Sequence, residues 1–196
     1  MKKIAIFVIL SIILLKPNYA FSIEPDIFIQ STVNRAAQTL SGNFNKNERI
    51  EQLKTIAIET VDIEGISLYS LGSYRKTITD DQLSRYKNVF KSYFLKSFSS
   101  RLAEYTNPEI DVYGKKKVND KYTIVLSKLK GTDKRPEIEI DWRVYTNDPK
   151  NLLIRDLIIE GLSLARTQKE EFSSIIISNN DDIEALIKSL SEFSKQ

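Results

Sequence analysis

The spacing of apolar residues in this chain changes once, from a 3.6-residue period to a two-residue period near residue 110. Before that point, segments with helical spacing end near Gly42, Val61, Leu71 and Tyr105. Beyond it, four alternating segments predict strands at Ile110–Tyr113, Lys121–Lys130, Glu137–Thr146 and Leu152–Glu160. Two more helical segments follow. Because connections this short join only antiparallel neighbours, we expect an α+β fold: a four-stranded antiparallel twisted sheet packed against N-terminal and C-terminal helices.

The clearest strand and the helix after the strands each present one apolar face. In the third strand, alternation predicts that four residues face the helices: Ile138, Ile140, Trp142 and Val144. In the following helix, five residues are predicted to face inward: Leu164, Ala165, Phe172, Ile175 and Ile176.

Residues 71–105 contain seven of the nineteen aromatic residues. Thr79 and Gln82 form a capping-box pattern at the start of a long helix. Its inward stripe consists of Leu83, Tyr86, Phe90, Phe94 and Phe98, with Tyr93 beside it. Such a stripe makes either a bulky core or the wall of an apolar cavity, and periodicity alone favours the core.

The N-terminus is typical of a cleavable export signal. Lys2 and Lys3 precede a twelve-residue apolar run, Ile4–Leu15, which is shorter than the roughly 20 residues that span a bilayer. Cleavage is predicted after Ala20 or Ser22, so residues 1–22 are the signal peptide and 23–196 a single domain. Loss of the leader lowers the basic residues from 29 to 26, against 26 acidic residues. Nucleic-acid binding by bulk charge therefore loses its support.

The chain contains neither cysteine nor histidine. An exported chain of this kind must fold without disulfides, which roughly 175 residues allow. The usual general base and the commonest transition-metal ligand are missing as well. We therefore expect no cofactor, no metal site and no catalytic residues, although chemistry based on Lys, Tyr or carboxylate groups is left open.

Basic residues gather around the first three strands, with Lys115, Lys116 and Lys117 at their centre. Such a patch could bind anionic head groups or an acidic partner surface. It could equally protect an exposed sheet edge from aggregation. The sequence favours neither interpretation.

Three segments resemble the MlaC family of exported phospholipid-binding proteins. The first is Leu71-Gly72-Ser73-Tyr74, followed by Asp81-Gln82 and the aromatic helix to Tyr105. The second runs from Asp156 through Glu160-Gly161 to Leu164 and Phe172, and the third is Val61-Asp62-Ile63. Their order and spacing agree across roughly residues 27–193.

The chain departs from the family pattern at three places. Arg75 and Leu152 occupy positions where the family often has Trp, and Thr167-Gln168-Lys169 replaces an Asn-Tyr-Arg-like run. These departures put in doubt the contacts that those side chains make in the family, but not the fold.

The resemblance implies an NTF2-like or MlaC-like fold and a periplasmic, monomeric phospholipid carrier. Its expected partners are phospholipid, an outer-membrane lipoprotein complex and an inner-membrane ABC transporter with an MCE-type lipid-binding ring. The acyl tails would lie in a cavity whose expected lining is Tyr74, Tyr86, Phe90, Tyr93, Phe94, Phe98, Ile140, Trp142, Val144, Leu164 and Phe172.

Two other functions remain open at this point. One is an exported enzyme that acts on a lipid-like substrate in the same cavity, with Tyr86 or Tyr93 as a reactive group. The other is a non-lipid periplasmic adaptor or chaperone-like module with a filled core. The direction of transport, the preferred head group and the preferred tail length do not follow from the sequence.

Overall fold

The computed structural model describes residues 23–105, 107–133 and 135–195. Its helices are α1 (Pro25–Ser41), α2 (Lys46–Thr60), α3 (Ile63–Ser70), α4 (Asp80–Leu102), α5 (Leu164–Ser178) and α6 (Ile183–Lys195), with a 3-10 turn at Tyr74–Lys76. Its strands are β1 (Ile110–Asn119), β2 (Tyr122–Leu129), β3 (Ile138–Tyr145), β4 (Leu153–Ile159) and β5 (Leu162–Ser163). The predicted signal peptide and both cleavage sites lie outside the described residues.

The strands form one open sheet in the order β1-β2-β3-β4-β5, and every neighbouring pair is antiparallel. The predicted α+β class and antiparallel meander are thus confirmed. The sheet has five strands instead of four because β5 pairs with the end of β4 through only two residues. A strand this short shows no alternation in the sequence. The tight turn between the two strands uses positive φ angles at Glu160 (49°) and Gly161 (78°).

Strand β1 is longer than predicted: it does not end at Tyr113 but continues to Asn119. Its pairing register with β2 shifts between Val112 and Gly114, as at a β-bulge. After the shift, Lys115 lies opposite Val125, on the helix side of the sheet. The glycine and the lysine run looked like a loop in the sequence, whereas the bulge lets them continue the strand.

The outer edge of β1 is covered by one side chain of α1. The Gln30 Nε2 group donates to the carbonyl oxygen of Ile110 at 3.3 Å, and the Gln30 Oε1 atom accepts from the Val112 N–H group at 3.1 Å. Gln30 thereby satisfies two backbone groups that would otherwise be unpaired at an edge strand.

One main core joins the helices to the inner face of the sheet. Its fully buried side chains include Tyr86 and Phe90 of α4, Phe172 of α5, and Val125 and Val144 of the sheet. In β3 the predicted alternation is confirmed, with Trp142 buried and its charged neighbours on the other face.

Helix α4 begins where the sequence predicted. The Gln82 N–H group donates to Thr79 Oγ1 at 3.2 Å, and the Thr79 N–H group donates to Gln82 Oε1 at 3.0 Å. The predicted capping box is therefore confirmed. Among the described residues, no helix is both long and apolar enough to cross a membrane.

Candidate functional site

The aromatic face of α4 meets the sheet across a layer of large side chains. The close backbone neighbours of α4 are α2, α3 and α6, whereas α1, α3 and α5 approach the strands. Rings of α4 belong to the same continuous apolar cluster as Val125 and Trp142 of the sheet. Side chains, rather than close backbone packing, therefore join α4 to the sheet. We call these side chains the aromatic layer.

The deep half of the aromatic layer consists of Tyr86, Phe90, Phe172, Val125 and Val144, each at most 2% exposed. The Phe172 ring meets the Tyr86 and Phe90 rings edge to face, with centroid distances of 6.3 and 6.1 Å. Edge-to-face contact is the favourable arrangement for aromatic pairs. This half is a closed, well-packed core.

The outer half of the layer consists of partly buried side chains: Phe94, Phe98, Ile140 and Leu157. The Phe94 and Phe98 rings are stacked, with their centroids 5.7 Å apart and their planes 7° apart. The Arg135 guanidinium lies 4.9 Å from the centroid of the Tyr105 ring, which places the C-terminal end of α4 beside the β2–β3 hairpin. The outer half therefore lies at the hairpin end of the molecule and reaches solvent.

Two tyrosine hydroxyls within the layer are hydrogen-bonded. The Tyr86 hydroxyl lies 3.1 Å from both the Ser67 carbonyl oxygen and Ser70 Oγ, and the Tyr93 hydroxyl donates to Gln168 Oε1 at 3.0 Å. Burial raises the pKa of both phenols above the ordinary value of 10.0. Both groups therefore stay neutral near pH 7 and cannot act as phenolate bases.

The indole of Trp142 is fixed by a short polar relay. Its Nε1–H group donates to Ser127 Oγ at 2.8 Å, and the Ser127 hydroxyl donates to the Ile140 carbonyl oxygen at 2.7 Å. Ser127 is fully buried, so the relay satisfies polar groups inside an apolar layer.

All predicted cavity residues except Leu164 lie in or against the main core. Tyr74 lies at its rim, where its hydroxyl donates to Asp181 Oδ1 at 2.6 Å. The inward orientation predicted for Leu164 is wrong, because this first residue of α5 is 42% exposed while Ala165 is buried. Lipid contact by the other residues stays a prediction.

The same cluster also contains side chains that were absent from the predicted lining, among them Leu95, Ile110, Val112 and Leu157. Ile110 and Val112 alternate along β1, so the two-residue period carried their signal. Leu157 lies opposite Trp142 and Ile154 lies opposite Val144, three residues apart, because the register of β3 and β4 shifts between them. Simple alternation therefore does not predict the side of Leu157. Leu95 lies beside the stripe on α4, where helical periodicity gives no clear answer.

The predicted basic patch is largely neutralised by acidic neighbours. The Lys115 ammonium contacts Glu24 at 2.6 Å and Asp26 at 2.8 Å, and Lys117 pairs with Asp120 at 2.8 Å. The hydrogen bond to Asp26 is the main cause of the raised pKa of Lys115. A head-group or partner role for these lysines stays a prediction.

Two surface grooves lie away from the aromatic layer. A groove of about 600 Å³ runs between α3 and α5, and its lining includes Tyr69, Arg166, Lys169, Glu170, Ser173 and Ile177. A second groove, of about 400 Å³, lies between α1 and α2. None of the predicted cavity residues lines either groove. Within 23–105, 107–133 and 135–195, no cluster of acidic residues could hold a metal ion.

Comparison with known proteins identifies the family. The model of the family described as MlaC protein matches residues 29–192. The chain belongs to the MlaC family. The toluene tolerance protein ttg2D of Pseudomonas putida is 23% identical over 177 residues, covering 83% of this chain and 78% of that protein.

A solved structure shares the fold of this MlaC-family chain. It is the phospholipid-binding protein from Ralstonia solanacearum, in complex with a phospholipid. The match has a TM-score of 0.74 at 19% sequence identity and covers 89% of this chain and 98% of that chain. At this identity the likeness is evidence for the fold.

The motifs that carried the resemblance are turns and caps. Asp62 Oδ1 accepts from the Gly65 N–H group at 2.8 Å and thereby caps α3. The buried carboxylate of Asp156 accepts from Ser163 Oγ at 2.6 Å and from the Ala165 N–H group at 2.9 Å, which fixes the start of α5. These residues therefore fix the starts of α3 and α5.

The departures from the family pattern have different structural settings. Leu152 is buried in the main core. Arg75 is exposed and donates from Nη1 to the Leu68 carbonyl oxygen at 3.2 Å, while Lys169 lies over the Tyr69 ring with its ammonium 5.6 Å from the centroid. Arg75 and Lys169 thus both contact residues of α3.

Proposed function

We propose that this MlaC-family protein binds a phospholipid and buries its acyl tails between α4 and the sheet. The observation that carries the proposal is that large rings, and not close backbone packing, join α4 to the strands. A cluster built in this way can open by rotation of side chains while the helices and strands stay intact. Membership of the family, and a fold shared with a protein crystallised with a phospholipid, support the ligand class.

The size of the ligand explains why a protein would need such a layer. A two-tailed lipid carries roughly 30 methylenes, and at about 0.8 kcal/mol each their transfer to water costs on the order of 20 kcal/mol. The rings of the deep half are in contact with one another, so the tails must displace side chains to enter. The partly exposed Phe94 and Phe98 pair is the point of entry.

We infer that the protein is exported to the periplasm and works as a monomer without a cofactor. It would accept phospholipid from one membrane assembly and deliver it to another, namely an outer-membrane lipoprotein complex and an inner-membrane ABC transporter with an MCE-type ring. The signal-like N-terminus and family membership support this assignment.

A binding function is better supported than catalysis. An enzyme working in the aromatic layer would need a reactive group there, and the natural candidates are Tyr86 and Tyr93. Because burial raises the pKa of both phenols, neither provides a base at neutral pH. No other described group of the layer has general-base character.

The test is to purify the protein from periplasm and determine its lipid content by native mass spectrometry and solvent extraction. We expect stoichiometric phospholipid, together with exchange into liposomes. Protein that is repeatedly empty and cannot be loaded from liposomes would contradict the proposal. Turnover of a lipid ester that is lost in Tyr86→Phe or Tyr93→Phe would instead support the enzyme.

A further inference from the structure

The groove between α3 and α5 combines a concave shape with exposed apolar side chains. Tyr69 of α3 is 44% exposed and Ile177 of α5 is 63% exposed, and both line a volume of about 600 Å³. Two such side chains in one concavity can serve as apolar anchors for a partner, because a few well-placed side chains carry most of the binding energy of an interface. The aromatic layer does not extend into this groove.

Two of the three charged residues that line the groove are cations. Arg166 and Lys169 line it together with one acidic residue, Glu170. In the described part of the chain, neither cation forms an ion pair, whereas Lys115 and Lys117 of the β1–β2 hairpin are paired with acids. The groove therefore carries a small excess of positive charge beside exposed apolar side chains.

The position of Lys169 is determined by the local backbone. Gly72 has a φ of 57°, and a Cβ atom at this residue would lie 2.9 Å from Lys169 Cε. The absence of a side chain thus allows the Lys169 stem to cross the end of α3 and to place its ammonium over the Tyr69 ring. Arg75, which binds the carbonyl group of Leu68, adds a further cation beside the same helix.

We propose that this groove docks an acidic amphipathic helix of a protein partner in lipid exchange. A groove between two helices accommodates a third helix that inserts apolar side chains. Tyr69 and Ile177 would contact those side chains, and Arg166 and Lys169 would pair with flanking carboxylates. Binding of the wild-type protein to anionic liposomes that is lost in the groove variants would instead identify a membrane surface as the occupant.

Helix α5 connects the groove to the aromatic layer. One face of α5 carries Arg166, Lys169 and Ile177 toward the groove. Other side chains of the same helix reach the layer: Phe172 contacts Tyr86, and Gln168 accepts from Tyr93. A partner docked in the groove would therefore be one helix away from the buried tails. The docking proposal rests on the proposed function, which supplies the class of partner.

The experiment uses the full mature protein and two purified probes from the same organism: the periplasmic ring of the ABC transporter and the outer-membrane lipoprotein complex. Binding is measured by biolayer interferometry. We expect the double variant Arg166→Glu with Lys169→Glu, and separately Ile177→Glu, to weaken binding to at least one probe about tenfold or more. Wild-type binding should also weaken as salt is raised.

Matched controls carry the same chemical changes at other exposed positions. Lys91→Glu with Lys150→Glu reverses two exposed cations, one on α4 and one in the β3–β4 loop, and Ile58→Glu places an acid at an exposed isoleucine of α2. We expect these variants to bind both probes like the wild-type protein. Circular dichroism and thermal unfolding confirm that every variant is folded.

The other outcomes overturn the proposal. If both groove variants bind the probes with wild-type affinity, the groove is not the docking site. If both double variants lose affinity equally, bulk charge and not the groove determines binding. Binding of neither probe by the wild-type protein also contradicts docking. Lipid content is measured on the same samples, so a wild-type protein that docks but carries no phospholipid refutes the proposed function alone.

Discussion

The two halves of the aromatic layer are built from similar residues but packed differently. In the deep half, Tyr86 and Phe90 of α4 are sealed by the edge of Phe172 from α5. In the outer half, Phe94 and Phe98 are stacked on each other and remain partly exposed. The residues of one helical stripe therefore make a rigid core at one end and an accessible apolar surface at the other. The deep rings differ from the outer pair in their contact with Phe172 of α5.

The largest expected contrast is between Phe90→Ala and Phe98→Ala. Removal of the buried Phe90 ring should lower the free energy of unfolding by about 3–5 kcal/mol, because it leaves a cavity in a closed core. Phe98→Ala should cost clearly less, since the ring already reaches solvent, but it should reduce retention of phospholipid. Urea unfolding measures the first effect and native mass spectrometry the second.

Equal losses of unfolding free energy in Phe90→Ala and Phe98→Ala would contradict the different packing of the two halves. Normal lipid retention in Phe98→Ala would leave the outer half without a role in binding. Ile58→Ala, which truncates an exposed residue of α2, is the control for nonspecific effects on handling of the protein.

A smaller effect is expected for Ser127→Ala, which disrupts the relay on the sheet side of the layer. The buried Trp142 Nε1–H group loses its acceptor, so unfolding should become easier by about 1–3 kcal/mol. The chain has one tryptophan, so its fluorescence reports both the unfolding transition and the local environment. Ser92→Ala on the exposed face of α4 should remain within about 0.5 kcal/mol of the wild-type stability. An unchanged unfolding midpoint in Ser127→Ala would show that the hydrogen bonds between Trp142, Ser127 and the Ile140 carbonyl do not stabilise the sheet side of the layer.

The smallest effect concerns the hydroxyl of Tyr86 in the deep half. Loss of its hydrogen bonds in Tyr86→Phe should cost about 0.5–1.5 kcal/mol at neutral pH. Burial raises the pKa of Tyr86 in the folded protein above 10.0, so its stabilising contribution is complete below about pH 10 and is lost as the pH rises further. Unfolding followed from pH 8 to pH 11 should show a steeper alkaline decline for wild type than for Tyr86→Phe. Identical slopes would show that the buried hydroxyl is not the titrating group.

The sequence predicted much of this architecture because several signals were local. The capping box at Thr79 and Gln82 placed the start of α4, and alternation in β3 identified the inner face with Trp142. The same stripe could not separate Phe90 from Phe98, because eight residues place the two side chains about 80° apart, within one broad apolar face. Their different burial depends on Phe172, which lies far away in the sequence.

The two clear errors have local causes. Gly114 and the following lysines are typical of a loop, so the continuation of β1 through a bulge was missed. Leu164 follows the apolar pattern of α5 but occupies its first position, where the chain has just left the sheet. In the structure, Lys115 pairs with Asp26 and the Ala165 N–H group donates to Asp156, and the local sequence pattern shows neither contact.

Gln30 protects the edge of the sheet against association with other copies of the protein. An open sheet can add strands from other molecules, including other copies of the same chain. By occupying the Ile110 carbonyl and the Val112 amide, a single glutamine amide imitates the first contacts of an incoming strand. A strand that pairs with this edge of β1 must first displace the Gln30 side chain, which is anchored on α1. The first step of sheet extension between molecules is therefore disfavoured.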